Sequence, residues 1–367
     1  MAGSASVLFV RTVLIRDWRF LSVTMASCLV AATVATFQFS VYNSFRTASA
    51  VVPTALAADF WVKASSVECF DFPAPFPEDY GPALARFLPE ATMRRVVFGF
   101  APWRSPTGRR GNVAVVGVEG LGIAPTGFVA NRSDLARLDI ADGASSVLAS
   151  IGETTLSLDH TVDVLPTYLG APYVLVDLET ARRLLRMDPT SVAFLAIYLD
   201  KPATADFTSR AVLATAQFPD VAITNAADFL QSSIAYWQNK TGAGLAIGLA
   251  AVLALLLMIL LLTNGVLRFI QRYYSDLLSL LGHGADSRDI GHIVTGVAAA
   301  IALVTLFGTT LITPVIVFML RPILPWTSFT LGDLLAPLLG VSLALLAASF
   351  AARRAIAGFG PDAVFRS

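Results

Sequence analysis

The sequence predicts an α-helical membrane protein with four transmembrane helices and a mixed α/β extracytoplasmic domain between helices 1 and 2. Of its 367 residues, 55% are hydrophobic and only 14% are charged, and the mean hydropathy is +0.68. Soluble domains are nearer a quarter charged. The apolar excess lies in four windows, whereas the stretch between the first two windows has the composition of a globular domain.

Each apolar window is long enough to cross a bilayer, because about 20 helical residues span the hydrocarbon core. The predicted spans are residues 20–45, 241–267, 293–320 and 334–352. A cleaved signal peptide is the competing interpretation of the first window, which is longer than the apolar part of a usual signal peptide. No window has an ionisable residue at its centre, which argues against a proton-driven transporter.

Basic residues predict the side of the membrane on which each connecting segment lies, since short loops rich in Lys and Arg stay in the cytoplasm. The segments 1–19, 268–292 and 353–367 carry three such residues each, and the short loop 321–333 carries one. We therefore expect both termini and the loop 268–292 in the cytoplasm. Residues 46–240 and the loop 321–333 then lie outside.

The remaining composition excludes several kinds of site. The formal net charge is zero, but the cytoplasmic segments carry nine Lys or Arg against five acids and the outer segments 17 against 21. Neither side is therefore expected to bind nucleic acid. Cys28 lies in the first span and Cys69 in the outer domain, too far apart for a disulfide. The histidines have no metal-ligand spacing; they are His160, His283 and His292.

The segment 46–240 alternates strand-like and helix-like patterns, which predicts a mixed α/β domain. The predicted strands are residues 58–63, 94–100, 112–118, 173–176 and 192–199. The predicted helices are residues 181–185, after a capping sequence that starts at Asp177, and residues 205–217. Pro and Gly predict loops at residues 72–82 and 120–127. Residues 37–50 and 226–240 predict helical stalks continuous with the spans, or else ordinary juxtamembrane helices.

Catalytic motifs are missing from the sequence. There is no Gly-x-x-x-x-Gly-Lys-Ser/Thr loop, so the chain lacks the backbone cradle and lysine that bind nucleotide phosphates. Ser157, Asp159 and His160 are close in sequence, but a catalytic triad is defined by geometry, and an exposed Asp-His pair is the preferred interpretation. We therefore expect a non-catalytic protein, and a membrane-bound enzyme is the weakest alternative.

The loop 268–292 predicts an amphipathic helix followed by a sharp turn into the membrane. Apolar residues recur at every fourth position, at Phe269, Tyr273, Leu277 and Leu281. Gly282 and Gly284 are expected to end this helix, and Asp286 or Ser287 to cap the next. A helix that docks on a partner explains the glycines and mixed charges better than a helix lying in lipid headgroups, which is the alternative.

This loop and the predicted topology resemble the MacB/FtsX-like permeases, the type VII membrane subunits of ATP-binding-cassette (ABC) systems. The matching residues of the loop are Asp276, Leu277, Leu280, Gly284, Ala285, Asp286 and Ile290. The sequence has Asp276 where the family has Glu, Leu281 where a basic residue is usual, and His283 where an apolar residue is usual. The tail 361–366 is similar to the family's closing Pro-Ala-Glu-Ala-Leu-Arg, and the run after span one is most similar to the DevC-type branch.

The resemblance implies a dimer of this chain, or a heterodimer with a relative, bound to a separate cytoplasmic ABC ATPase that holds the ATP and Mg. DevC-type relatives work with a periplasmic adaptor and an outer-membrane duct to export lipids or other amphipathic molecules. The expected location is the bacterial inner membrane, and no cofactor is expected in this chain. A signalling scaffold of the FtsX kind, which activates a cell-wall hydrolase, is the alternative.

The resemblance also implies which residues contact the ATPase. The expected coupling residues are Asp276, Leu277, Leu280, Gly284, Ala285, Arg288 and Ile290. A further contact is expected at the C-terminal residues Phe359, Pro361, Val364, Phe365 and Arg366. The transported substrate is not indicated by any motif.

Overall fold

Long apolar runs and short alternating runs form different elements in the computed structural model, which describes residues 12, 16–105, 107–141, 148–151, 154–163 and 171–357. The helices are α1 (Trp18–Ala48), α2 (Val51–Leu56), α3 (Tyr80–Ala85), α4 (Leu178–Leu184), α5 (Ala205–Gln217), α6 (Ala226–Ala235), α7 (Ala243–Arg272), α8 (Tyr274–Gly282), α9 (Ser287–Leu320) and α10 (Leu335–Ala357). Short 3-10 turns lie at Arg132–Asp134 and Leu331–Leu334, and a π turn lies at Tyr236–Lys240.

The strands all lie between α2 and α6 in the chain. They are β1 (Phe60–Ala64), β2 (Phe76–Pro77), β3 (Ala91–Arg104), β4 (Arg110–Val118), β5 (Gly127–Asn131), β6 (Leu148–Ile151), β7 (Thr154–Val162), β8 (Tyr173–Val176), β9 (Ser191–Val192), β10 (Phe194–Leu199) and β11 (Val221–Asn225). The described strands form a nine-stranded sheet in the order β11-β1-β10-β3-β4-β8-β5-β7-β6 and a two-stranded sheet of β2 and β9.

Four helices in the described part of the chain are long and apolar enough to cross a membrane; they are α1, α7, α9 and the helix that contains α10. Their exteriors are apolar. Leu260, Phe307 and Leu346 are 64%, 69% and 68% exposed, whereas small side chains such as Ala32 and Ala344 are fully buried. Apolar exteriors of this extent are typical of lipid-facing helices. Four apolar helices and a mixed α/β domain are therefore confirmed, and the domain's position outside a membrane stays a prediction.

The large sheet is buried on both faces around its middle strands. Side chains alternate between the faces of a strand, so β3 sends Val96 and Phe98 into one core and Val97 and Ala101 into another. The first core is aromatic: Phe70 stacks on Phe194 with ring centroids 4.6 Å apart. Strands buried on two faces read as nearly continuous apolar runs, which is why β4 and β10 could be predicted.

Polar caps start three helices of this domain. Asp177 accepts a hydrogen bond from the backbone N–H of Glu179, and Thr204 accepts one from that of Phe207. Asn225 likewise caps α6. Such caps satisfy backbone donors that the helix itself leaves unpaired. The predicted strand 173–176 and the predicted helix 205–217 are confirmed with these bounds.

Gly117 allows α4 to pack closely on the sheet. A Cβ atom at this position would lie 2.3 Å from the Cβ of Ala181 and 3.3 Å from the Cα of Leu178. Real Cβ contacts are never this short, so any side chain would push the helix away from β4.

The structure corrects two predictions within this domain. The predicted strand 192–199 is two strands, because Val192 pairs with Phe76 while Phe194 pairs with Val96 on a different sheet. The predicted loop 72–82 contains β2 and the start of α3, because Phe76 is buried in the aromatic core. Pro and Gly in that segment mark the turns between short elements instead of one loop.

The two predicted stalks have different structures. α1 continues without a break to Ala48, as a continuous stalk requires. The segment 226–240 is helical as α6 and the π turn, but Gly242 has a φ of +72° and separates it from α7. A left-handed residue cannot continue a right-handed helix, so the second stalk is interrupted before its span.

Candidate functional site

The junction between α7 and α8 is a hinge at Tyr273. The predicted helix of the loop 268–292 does not begin at residue 268, since α7 continues through Arg272 and α8 begins only at Tyr274. Tyr273 itself has φ −100° and ψ 18°, outside the helical range. α8 is therefore a separate short helix whose direction is set at Tyr273.

Asp17, just before α1, holds this hinge. Its Oδ2 accepts a hydrogen bond from Nε of Arg272 at 3.0 Å and another from the Tyr273 hydroxyl. The Arg272 guanidinium also lies over the ring of Phe20, 4.9 Å from its centroid. These contacts join the start of α1 to the residues at the hinge. We call Asp17, Arg272 and Tyr273 the hinge clamp.

The pKa values of the clamp residues follow from these contacts. The hydrogen bonds from Tyr273 and then from Arg272 lower the pKa of the Asp17 carboxyl below its usual value. Burial, together with the Asp17 carboxylate, raises the pKa of the Tyr273 hydroxyl to about 12. Asp17 is therefore ionised and Tyr273 protonated at neutral pH, which are the states that the hydrogen bond requires.

α8 is amphipathic, and its two faces separate the predicted coupling residues. Leu277 is fully buried among the apolar side chains of the spans, and Leu280 is partly buried against them. Asp276 and Ser279 are exposed on the other face. Leu277 therefore holds α8 against the spans of its own chain, and its contact with an ATPase stays a prediction.

A Schellman turn ends α8. The N–H of Ala285 donates to the carbonyl of Leu280, and the N–H of Gly284 donates to that of Leu281, both at 3.0 Å. Gly284 has a φ of +94°, the left-handed conformation that this turn needs and that glycine adopts without strain. The predicted helix stop at Gly284 is confirmed. A side chain there would destabilise the turn.

The first turn of α9 is capped from within the helix. The Asp289 carboxylate accepts a hydrogen bond from the backbone N–H of Asp286 at 3.1 Å. Ile290 is fully buried in the same cluster as Leu277, whereas Arg288 is exposed. Ile290 therefore fixes the start of α9, and Arg288 is available to a partner.

Of the seven predicted coupling residues, three are exposed, two are partly buried and two are fully buried. Asp276, Gly284 and Arg288 form an exposed set around α8, with Leu280 and Ala285 partly buried behind them. The predicted C-terminal contact residues lie outside the described residues; they are Phe359, Pro361, Val364, Phe365 and Arg366. Whether any of these residues contacts an ATPase stays a prediction.

The sequence reasoning missed the hinge clamp, although a signal for it was present. Asp17 is the only acidic residue in the segment 1–19, directly before an apolar span and among basic residues. An isolated acid in that setting predicts a specific cationic partner. The partner, Arg272, is 255 positions away, so only the fold could identify it.

A second polar cluster lies among the described residues that precede α10. Asp333 is fully buried, and its carboxylate accepts hydrogen bonds from Asn43 Nδ2 at 2.7 Å and from the backbone N–H of Thr330 at 2.8 Å. Ser40 Oγ and Thr330 Oγ1 lie 3.1 Å and 3.2 Å from the same carboxylate. Asp333 thereby joins α1 to the 3-10 turn before α10.

A partly buried ionic network joins elements in the middle of the α/β domain. Glu78 accepts hydrogen bonds from Arg182 at 2.6 Å and from Arg95 at 2.7 Å, and Arg95 also pairs with Glu119 at 2.7 Å. The Arg182 side chain is only 4% exposed. The contacts from Arg182 and Arg95 hold the pKa of Glu78 below its usual value of 4.5. This network ties α4 and β3 to the segment before α3.

Potential metal ligands and the Asp-His pair were located in the part of the chain that the structure describes. No group of three His, Cys, Asp or Glu residues there could hold a metal ion. His160 Nδ1 lies 3.0 Å from Asp159 Oδ2, and both side chains are exposed, as predicted for a simple Asp-His pair.

No model of a protein family matches the chain, and no curated protein matches it. Among solved structures, the chain is similar to the crystal structure of the periplasmic region of MacB from Actinobacillus actinomycetemcomitans, with 6% identity, a TM-score of 0.37 and coverage of 48% of this chain and 92% of that one. It is also similar to the extracellular domain of the noncanonical ABC-type transporter YknZ from Gram-positive bacteria, with 10% identity, a TM-score of 0.34 and coverage of 46% and 99%. At these scores the likenesses do not assign a family.

Proposed function

We propose that this chain is the permease subunit of an ABC export system of the MacB/FtsX-like type, closest to the DevC-type branch. A separate ATPase hydrolyses ATP, and this chain passes the resulting movement to its outer domain without catalysing a reaction itself. The observation that carries the proposal is α8, a short amphipathic helix between two membrane-competent helices. α8 is held at one end by the hinge clamp and at the other by the turn at Gly284.

The structure of α8 suits a coupling element. Leu277 and Ile290 anchor the helix and the start of α9 in the span core, while Asp276 and Arg288 stay exposed on opposite sides of the turn. A partner that pushes on the exposed face would move the helix as a rigid body about Tyr273. Asp17 would then carry that displacement to α1, which leads into the outer domain. The absence of a phosphate-binding loop from these 367 residues supports a separate ATPase as the source of energy.

The proposed setting is the bacterial inner membrane with both termini in the cytoplasm, as the distribution of basic residues predicts. Two copies of the permease, or one copy and a relative, would bind the ATPase subunits. A periplasmic adaptor and an outer-membrane duct would complete a system for lipids or other amphipathic substrates. These partners follow from the resemblance to DevC-type permeases.

The coupling proposal is tested with matched pairs of variants in the full chain. Asp276→Arg reverses the exposed charge of α8, and we expect at least about tenfold weaker retention of the ATPase on the purified permease. Asp200→Arg makes the same charge change at an exposed position of the α/β domain and should leave retention unchanged. Equal retention in both variants would remove Asp276 from the contact.

The turn at Gly284 offers a second pair of matched variants. Gly284→Leu forces a side chain into the left-handed conformation at a cost of about 1–2 kcal/mol, which should reorient the end of α8 and lower ATPase stimulation. Gly282→Leu, two residues earlier, adds a side chain in open space with ordinary helical backbone. If the two leucine variants stimulate the ATPase equally, the turn has no role in coupling.

A further inference from the structure

Aromatic residues from three chain segments meet beside the predicted outer ends of the spans. Phe45 is the last residue of the first predicted span, Trp237 lies six residues before α7, and Trp326 follows the end of α9 by six residues. The ring of Phe45 contacts both tryptophan rings edge to face, with centroids 6.1 Å apart in each case. We call Phe45, Trp237 and Trp326 the aromatic collar.

The chain positions of the collar fix its depth. Phe45 lies on α1 itself, at the last residue of the first predicted span, and the headgroup region on each side of the hydrocarbon core is about 5–8 Å thick. Tryptophan and tyrosine favour this region because their rings are apolar at one end and polar at the other. The collar therefore lies at the headgroup level of whatever bilayer the spans cross.

Phe72 joins the collar from a part of the chain that the sequence assigns to the aqueous domain. It follows Phe45 by 27 positions and is 50% exposed, yet its ring centroid is 5.7 Å from that of Trp237 and 5.4 Å from that of Tyr236. A side chain in contact with the collar must lie at nearly the same depth. Half of the Phe72 ring remains uncovered by protein there.

The loop that carries Phe72 is held in this position by polar contacts. Asp71 accepts a hydrogen bond from Trp237 Nε1 at 2.7 Å, and the N–H of Phe70 donates to Ser233 Oγ at 3.2 Å. Glu68 pairs with Lys240 at 2.6 Å. Residues 68–72 are thus tied to α6 and to the π turn, so Phe72 cannot move away from the level of the collar without breaking these contacts.

We propose that the Phe72 loop, residues 68–75, inserts its exposed aromatic ring into the headgroup region of the outer leaflet, with phospholipid as its partner. The contact would anchor this loop of the α/β domain on the bilayer surface. This inference requires only that the apolar helices span a bilayer. It does not depend on an ATPase, so its failure and the failure of the proposed coupling are distinguishable.

The test places a fluorescent probe at the loop of the full chain in phosphatidylcholine vesicles. Cys28 and Cys69 are both buried, so a thiol-reactive environment-sensitive dye labels Phe72→Cys selectively in the folded protein. The control is Val212→Cys, which replaces a 65% exposed apolar side chain on α5. Lipids spin-labelled near the headgroup should quench the dye at position 72 at least about twofold more than the dye at position 212.

A second variant keeps an aromatic ring and avoids the dye. Phe72→Trp should add tryptophan fluorescence that brominated lipids quench more strongly than the fluorescence of the unsubstituted chain. Half of Phe72 is exposed, so neither substitution removes a core side chain. Quenching at position 72 no greater than at position 212, together with unquenched fluorescence of the added tryptophan, would overturn the proposal.

Discussion

Removing the buried carboxylate of Asp333 should loosen the helices that it joins. In Asp333→Ala, the partly buried hydrogen bonds from the Asn43 side chain and the Thr330 backbone N–H, at 2.7 Å and 2.8 Å, lose the fully buried carboxylate that accepts them. A hydrogen bond to a charged group contributes about 1.5–3 kcal/mol to stability, so the loss of both should cost at least about 2 kcal/mol even where solvent reaches the donors. Asp333→Asn keeps the side-chain volume and one acceptor oxygen, so it should lose less stability than Asp333→Ala but more than the control variant.

The two cysteines allow this loss to be measured. Cys28 is fully buried among the spans, so in a Cys69→Ala background its reaction with a thiol-reactive dye during heating reports the opening of the span helices. Asp333→Ala should lower the midpoint of this transition by at least about 4 °C, taking about 2 °C per kcal/mol. Leu331→Ala, at an 83% exposed neighbour, is the control. If Asp333→Ala and Leu331→Ala shift the midpoint equally, the carboxylate does not hold these helices together.

Three further predictions concern the α/β domain and the hinge clamp. Gly117→Ala should destabilise the domain by about 1–3 kcal/mol, measured by urea unfolding, whereas Gly81→Ala, whose Cβ would make an ordinary 3.7 Å contact, should not. Because folding lowers the pKa of Glu78, its carboxylate stabilises the domain above pH 4.5, and this stabilisation is lost as the pH falls below that value. Glu78→Gln should therefore be less stable than the unsubstituted chain at pH 7 and should lose less stability on acidification. Urea unfolding midpoints measured at pH 7 and below pH 4.5 test this. Asp17→Asn should leave ATPase binding intact but lower ATPase stimulation, and Tyr273→Phe should do so more weakly because the ion pair remains; equal stimulation in all three proteins would exclude the clamp from coupling.

Elements defined by local patterns could be predicted from the sequence. The four apolar helices follow from length and hydropathy, and the helix stop at Gly284 follows from the need of a Schellman turn for a left-handed residue. β8 and α5 follow from an apolar run and from a capping threonine. In each case the signal lies within a few residues of the element that it specifies.

Features that depend on distant partners could not be predicted. The split between β9 and β10 follows from two different pairing strands, and the hinge clamp joins residues 255 positions apart. The burial of Leu277 and Ile290 likewise depends on how α8 packs, because an amphipathic pattern shows that one face is apolar without showing what covers it. The contact roles of Asp276 and Arg288 stay predictions for the same reason.

The most direct test of the coupling account is purification of the full chain, in mild detergent, from the membranes of the organism that makes it. We expect an ABC ATPase subunit with a phosphate-binding loop to copurify in equal amount, and the complex to hydrolyse ATP more slowly when the permease carries Asp276→Arg. If the chain purifies from these membranes without any ATP-hydrolysing subunit, the proposed coupling is wrong.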